Sequence, residues 1–163
     1  MIILGIDPGY GRVGYSIIEK KANKFIPHNY GLIETFNDKT LLERYFEIHI
    51  KLNEIIEEYQ PEQMAVEELF FSKNVKTAID VAQARGIILL TGHQHGLILA
   101  EYKPNEIKQA VCGYGQAKKR QMQKMVKMLL NLKEIPKPDD VADAIAVAIC
   151  HGQSYGYNKH FKV

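Results

Sequence analysis

Apolar residues lie in short runs at the start of the chain and move to helical spacing after it. Met1 to Ile6 is an apolar run that stops at Asp7-Pro8-Gly9, where proline and glycine force a turn. Val13 to Lys20 and Phe25 to Thr35 are rich in β-branched and aromatic residues, so the chain up to Thr35 predicts a three-strand meander. Leu41, Tyr45, Ile48, Leu52, Ile55, Ile56 and Tyr59 then recur with helical period and are closed by Pro61. Gln63 to Glu67 reads as a short buried strand, Asn74 to about Gly92 as a long helix, and Leu97 to Tyr102 as a fifth strand. Pro104 opens a short helix at its preferred first position, and Gly113-Tyr114-Gly115 breaks the chain. Gln116 to Leu130 predicts a basic helix with Met122, Met125, Val126 and Leu129 as its apolar positions. A last apolar helix is expected from Asp139 to Cys150.

No internal repeat, low-complexity tract or interdomain linker interrupts this order. Antiparallel strands followed by β-α units and terminal helices predict an α/β fold, a mixed five-stranded sheet flanked by helices. One domain is expected over residues 1–152, with 153–163 as a mobile tail. A chain of 163 residues can bury a core without staples, and 46% hydrophobic with 25% charged residues is the balance of a soluble globular protein. Cys112 and Cys150 match no metal-ligand spacing and read as reduced thiols of a cytosolic protein. No basic leader precedes the first strand, and no apolar run approaches the ~18 residues that span a bilayer. The expectation is a cytoplasmic protein without a membrane partner.

The net charge of +2 conceals a segregation. Leu41 to Leu69 carries eight acids and two bases, whereas Lys103 to Lys133 carries eight bases and one acid, Glu106. Such asymmetry points to a polyanion. Taken alone, Lys103, Lys108, Lys118, Lys119, Arg120, Lys124, Lys127 and Lys133 also fit a solvated helix face. Beside an acidic metal site they fit phosphate backbone contacts better.

Acids stand where ordered structure ends: Asp7 after the first strand, Glu67 after the fourth, and Asp140 with Asp143 at the start of the last helix. An ionised carboxylate at the rim of an apolar core is costly unless paired, hydrogen-bonded or bound to a cation. Asp7 equally fits a turn aspartate bonding the backbone of Pro8-Gly9. Glu67 is harder to explain that way, being set in an apolar strand, while Glu68 points to the opposite face and reads as solvent-exposed. Asp140 and Asp143 share a helix face, which leaves Asp139 as the expected cap. Parallel pairing of the first and fourth strands would bring Asp7 and Glu67 to the edge where α/β proteins place their sites. Four oxygen donors around one point suit Mg²⁺ or Mn²⁺. Two such ions about 4 Å apart would support in-line displacement at phosphorus, with Lys108 and Lys119 holding flanking phosphates.

Weaker features have ordinary explanations. His93-Gln94-His95 has no third ligand nearby and reads as a polar helix end. His151 could shift protons, although a surface histidine is the default. Phe70 and Phe71 follow the fourth strand as core residues or, if exposed, as a stacking surface for an unpaired base.

Together, Ile3-Leu4-Gly5-Ile6-Asp7-Pro8-Gly9 with Gly14, Ala65-Val66-Glu67-Glu68-Leu69-Phe70, Gln83-Ala84-Arg85-Gly86, Lys108-Gln109-Ala110-Val111, Gly113 to Lys119 and Asp140-Val141-Ala142-Asp143-Ala144 resemble the RuvC family of Holliday junction resolvases along nearly the whole chain. The resemblance implies an RNase H-like fold and a homodimer that cuts four-way DNA junctions by paired symmetric nicks, serving DNA recombination and repair. It implies two Mg²⁺ ions per active site held by Asp7, Glu67, Asp140 and Asp143, and a 5′-phosphate and 3′-hydroxyl at each nick. By position, Phe70, Lys108 and Lys119 match DNA-contacting residues, and Lys118, Arg120 and Lys124 extend that basic surface. The helix carrying Ala78, Ala82 and Gly86 would pair with its twin across the dimer axis. A RuvA/RuvB-type branch-migration complex is the implied delivery partner.

Three other readings compete. A junction-binding scaffold would gain affinity by losing Asp7, Glu67 and Asp143. An actin-like ATP phosphotransferase should show a second glycine-rich phosphate loop, and none is present. A related enzyme acting on RNA would be separated by competition between junction DNA and structured RNA.

Overall fold

The structure is a computed structural model that describes residues 1–69 and 75–154. The described residues form five strands and five helices in the order β1 (Ile2–Asp7), β2 (Arg12–Lys21), β3 (Lys24–Glu34), α1 (Leu41–Tyr59), β4 (Gln63–Glu67), α2 (Val75–Gln94), β5 (Ile98–Tyr102), α3 (Pro104–Cys112), α4 (Lys119–Leu129) and α5 (Asp139–Ser154). The sheet order is β3-β2-β1-β4-β5. β1 to β3 form the expected antiparallel meander, while β1 pairs β4 and β4 pairs β5 in parallel.

The alternation of side chains along each strand divides the core into two layers. Leu4, Ile6, Val13, Ile17, Met64 and Val66 meet Tyr45, Ile48, Leu52, Ile56, Ala84 and Ile88 of α1 and α2 on one face. Ile3, Ile18, Ala65, Ala100 and Tyr102 meet α3, α4 and α5 on the other. α1 starts at a capping box in which the Glu43 N–H donates to Thr40 Oγ1 (3.3 Å) and the Thr40 N–H to Glu43 Oε2 (2.7 Å). Among the described residues no helix is long and apolar enough to cross a membrane.

α5 lies too close to the sheet to admit a side chain at two glycines. A Cβ on Gly5 would overlap the carbonyl of Ala144, and a Cβ on Gly14 would overlap that of Asp140. Ser16, fully buried, donates its hydroxyl to the same Ala144 carbonyl at 3.0 Å. Gly5 and Ser16 are cross-strand partners. Small residues on two adjacent strands therefore form a shallow seat for the first turns of the helix.

Three expectations change. α4 begins at Lys119 rather than Gln116, because Ala117 is buried and Gln121 closes the end by accepting the Lys118 N–H at 2.8 Å. α5 continues through Ser154, so the expected tail loses Gln153 and Ser154 to the helix, and 155–163 lie outside the described residues. His151 is not at the surface: it is fully buried, bonded through Nδ1 to the Tyr102 hydroxyl (2.8 Å) and through Nε2 to Gln63 Oε1. Burial pushes its pKa down to about 4, which favours the neutral imidazole of a core network.

Gly14→Ala is expected to lower folding stability by about 1–3 kcal/mol, as overpacking does. Thermal or urea unfolding of the purified variant measures this. A stability within ~0.5 kcal/mol of the parent would show that α5 does not depend on the seat.

Candidate active site

β1 and β4 run side by side with Ile6 opposite Val66, so Asp7 and Glu67 end neighbouring strands about 4.8 Å apart in the sheet. Both share the parity of Gly5 and Ala65 and therefore lie on the α5 side of the sheet. α5 brings Asp140 and Asp143, one turn apart, over this edge. The backbone thus aims four carboxylates from three segments at one region.

Electrostatics report the convergence. Burial pushes the Asp7 carboxyl well above the usual range, and Glu67, Asp143 and Asp140 push it further, against Lys119. Burial and then Asp143 raise Glu67 to about 7, opposed by Lys108 and Lys119. Burial also raises Asp143, with Lys119 relieving part of the effect. Each of these acids lacks enough positive charge nearby.

Glu67, Asp143, Lys108 and Lys119 line a cleft of about 200 Å³ together with Pro104, Ile107 and Met122. Asp7 and Asp140 are not among those lining residues, and they join the group through their repulsion. Lys119 Nζ stands 3.5 Å from Asp143 Oδ2 and 3.1 Å from Asp139 Oδ2. Among the described residues, no three His, Cys, Asp or Glu side chains stand close enough to share an ion as placed. The donors are all carboxylate oxygens, the hard ligand type that a divalent cation such as Mg²⁺ takes.

The turn that follows Asp7 is held from behind. The Arg44 guanidinium lies 4.6 Å from the Tyr10 ring centroid, and its Nε donates to Thr35 Oγ1 at 2.8 Å. Thr35 in turn gives its hydroxyl to the Tyr10 carbonyl (2.7 Å) and its N–H to the Gly11 carbonyl (3.0 Å). Asp7 therefore leaves β1 into a fixed turn.

Lys118, Arg120 and Lys124 are exposed on or beside α4 but do not line the cleft, and Phe70 lies outside the described residues. Asp139 is the first residue of α5 rather than its cap: Oδ1 accepts from Gln123 Nε2 (2.6 Å) and Oδ2 pairs with Lys119. Sequence reasoning missed Gln123 altogether, since one glutamine on a basic helix carries no signal. Arg44 was equally hidden. An arginine in a helical run reads as surface until its burial is seen. His95 bonds Asn53 Oδ1 at 2.6 Å, in keeping with a polar helix end.

A mixed β3-β2-β1-β4-β5 sheet with acids at the carboxyl ends of its two central parallel strands, crossed by an acidic helix N-terminus, defines an RNase H-like fold with an acidic centre. The family model for crossover junction endodeoxyribonuclease RuvC matches residues 3–151, and the chain belongs to that family. The chain is 58% identical over 159 residues to the RuvC of Halothermothrix orenii, covering 98% of this chain and 96% of that one. The Thermus thermophilus RuvC structure superposes with a TM-score of 0.88 at 33% identity, covering 96% of each chain. The T. thermophilus RuvC in complex with a Holliday junction substrate gives the same TM-score at 35% identity, covering 93% of this chain and 92% of the other.

The raised Glu67 pKa has a stability consequence. Between about pH 4.5 and 7 the folded chain keeps a proton on Glu67 that the unfolded chain has released, so stability falls as pH rises through that window. Glu67→Gln is expected to remove this loss and to make the cation-free protein about 2–3 kcal/mol more stable than the parent at pH 8. Urea unfolding at pH 5 and pH 8 in EDTA checks it. An equal difference between the two proteins at both pH values would contradict the assigned cause.

Proposed function

We propose that this protein resolves four-way DNA junctions by paired symmetric nicks on strands of like polarity, leaving 5′-phosphate and 3′-hydroxyl ends, in DNA recombination and repair. It is an endodeoxyribonuclease of the RuvC family acting on DNA junctions, and that family depends on divalent metal. The observation that carries the finer reading is the convergence of Asp7, Glu67, Asp140 and Asp143 at one sheet edge. Three of their pKa values are raised by burial and mutual repulsion.

These four acids are the proposed ligands of two Mg²⁺ ions, for which Mn²⁺ can substitute. When bound, the ions supply an activated water and stabilise the leaving oxygen. Asp7, the most deeply set acid, and Glu67 fix the donor geometry because rigid strands end at them. Asp140 and Asp143 complete the set from a helix that cannot shift without lifting off Gly5 and Gly14. Lys108 and Lys119, both lining the cleft, hold the phosphates beside the scissile bond and offset the charge that builds on them. Lys118, Arg120 and Lys124 supply backbone contacts farther along the strand, weakening as salt rises.

Paired cuts follow from a homodimer, in which a two-fold axis relates two such sites. α2 supports this assignment, because Ile79 and Leu90 are exposed on it and a Cβ on Gly86 would meet open space. Phe70 is the proposed stacking residue, and a RuvA/RuvB-type complex the proposed source of junctions.

An end-labelled synthetic junction is expected to be nicked symmetrically in Mg²⁺ and left intact in EDTA, with a linear duplex of the same sequence uncut in both. Asp7→Asn is expected to reduce cleavage more than about 100-fold, since even residues that only orient a ligand cost 10–100-fold. It should keep or strengthen junction binding, because a carboxylate near phosphates repels them. Tight binding without cuts by the parent protein would favour a scaffold instead.

A further inference from the structure

Lys119 and Asp139 open consecutive helices, α4 and α5, and both side chains reach toward the acid cluster. The Lys119 ammonium is shared between two carboxylates, 3.1 Å from Asp139 Oδ2 and 3.5 Å from Asp143 Oδ2. Asp139 is anchored from a second direction, because its Oδ1 accepts from Gln123 Nε2 at 2.6 Å, one turn along α4 from Lys119. Both oxygens of Asp139 are thus spent on α4, so the residue serves neither as a cap nor as a free acid beside the helix dipole. Lys119 and Asp139 are each 55% exposed, so their pairing adds little to folding stability. Asp143 is 31% exposed and belongs to the proposed ion ligands.

One ammonium between two acids, only one of which is a proposed ligand, has two possible homes. A cation arriving at Asp143 must displace Lys119 from it. The displacement is easy if a second carboxylate holds the ammonium, and harder if Asp143 is its only partner. We propose that Asp139 is a positioning residue: it keeps Lys119 parked beside the acid cluster, so that Asp143 is freed for the divalent ion while the ammonium stays within reach of substrate phosphate. The inference rests on reading Asp7, Glu67, Asp140 and Asp143 as the ion ligands. Asp139 itself touches neither ion nor substrate and acts only through Lys119.

The test is a double-mutant cycle read by calorimetric titration of Mn²⁺ into DNA-free protein. Asp139→Asn is expected to weaken Mn²⁺ binding about two- to fivefold, the scale of an exposed ion pair. In a Lys119→Met background the same change is expected to cost less than about twofold, because only screened long-range attraction is then lost. Asp139→Glu should restore the parent affinity within about twofold. Asp139→Ser provides a second neutral replacement, and the melting curve of each variant confirms that it is folded.

Equal losses with and without Lys119 would overturn the proposal, since Asp139 would then be acting by charge alone. No loss on Asp139→Asn in the protein that keeps Lys119 would overturn it too. Absence of Mn²⁺ binding by the parent protein would instead overturn the ligand reading beneath it, so the two failures are distinguishable.

Discussion

The seating of α5 against β1 and β2 is the contact on which the site depends. Two glycines and a serine leave no side-chain bulk between helix and sheet, and the Ser16 hydroxyl fixes the remaining distance at the Ala144 carbonyl. The helix from Val141 to Cys150 is then free to bury an almost unbroken apolar surface. Its first turn overhangs the sheet edge and carries Asp140 and Asp143 toward Asp7 and Glu67. A helix held one side chain farther out could bury the same residues but could not close the acid group.

That closure works against the fold. Burial and like charges raise three carboxyls, and the neighbouring lysines offset only part of the cost. Lys119 and Lys108 are half the answer, and a divalent cation would be the other half. The basic segment, read from sequence as a polyanion surface, thus has an inner and an outer part. Lys108 and Lys119 line the cleft and temper the acids, whereas Lys118, Arg120 and Lys124 stay exposed outside it.

Much of the fold was legible because the apolar period changes cleanly from strand to helix, and the breaks at Pro8-Gly9, Pro61 and Gly113-Tyr114-Gly115 fall between elements. The meander follows from that pattern, and the placement of Asp7 and Glu67 on one edge follows once β1 and β4 pair in parallel, as they do. Other features were hidden because they depend on contacts between segments far apart in the chain. His151 lies in the last turn of α5 and looked like a surface residue, yet it is buried and bonded to Gln63 and Tyr102. Asp139 has the sequence position of a cap, but a lysine and a glutamine on α4 compete for its oxygens more effectively than the backbone of its own helix. Gly5 and Gly14 were visible as glycines, but what they make room for was not.

The acid group also joins the two ends of the chain. Asp7 belongs to β1 and Asp143 to α5, so the group is complete only where segments far apart in sequence have docked. Residues 1–138, even if collapsed around the sheet, would carry Asp7 and Glu67 without the second pair. The acid group is therefore a product of the tertiary fold and of no single segment, and it comes apart wherever α5 leaves the sheet.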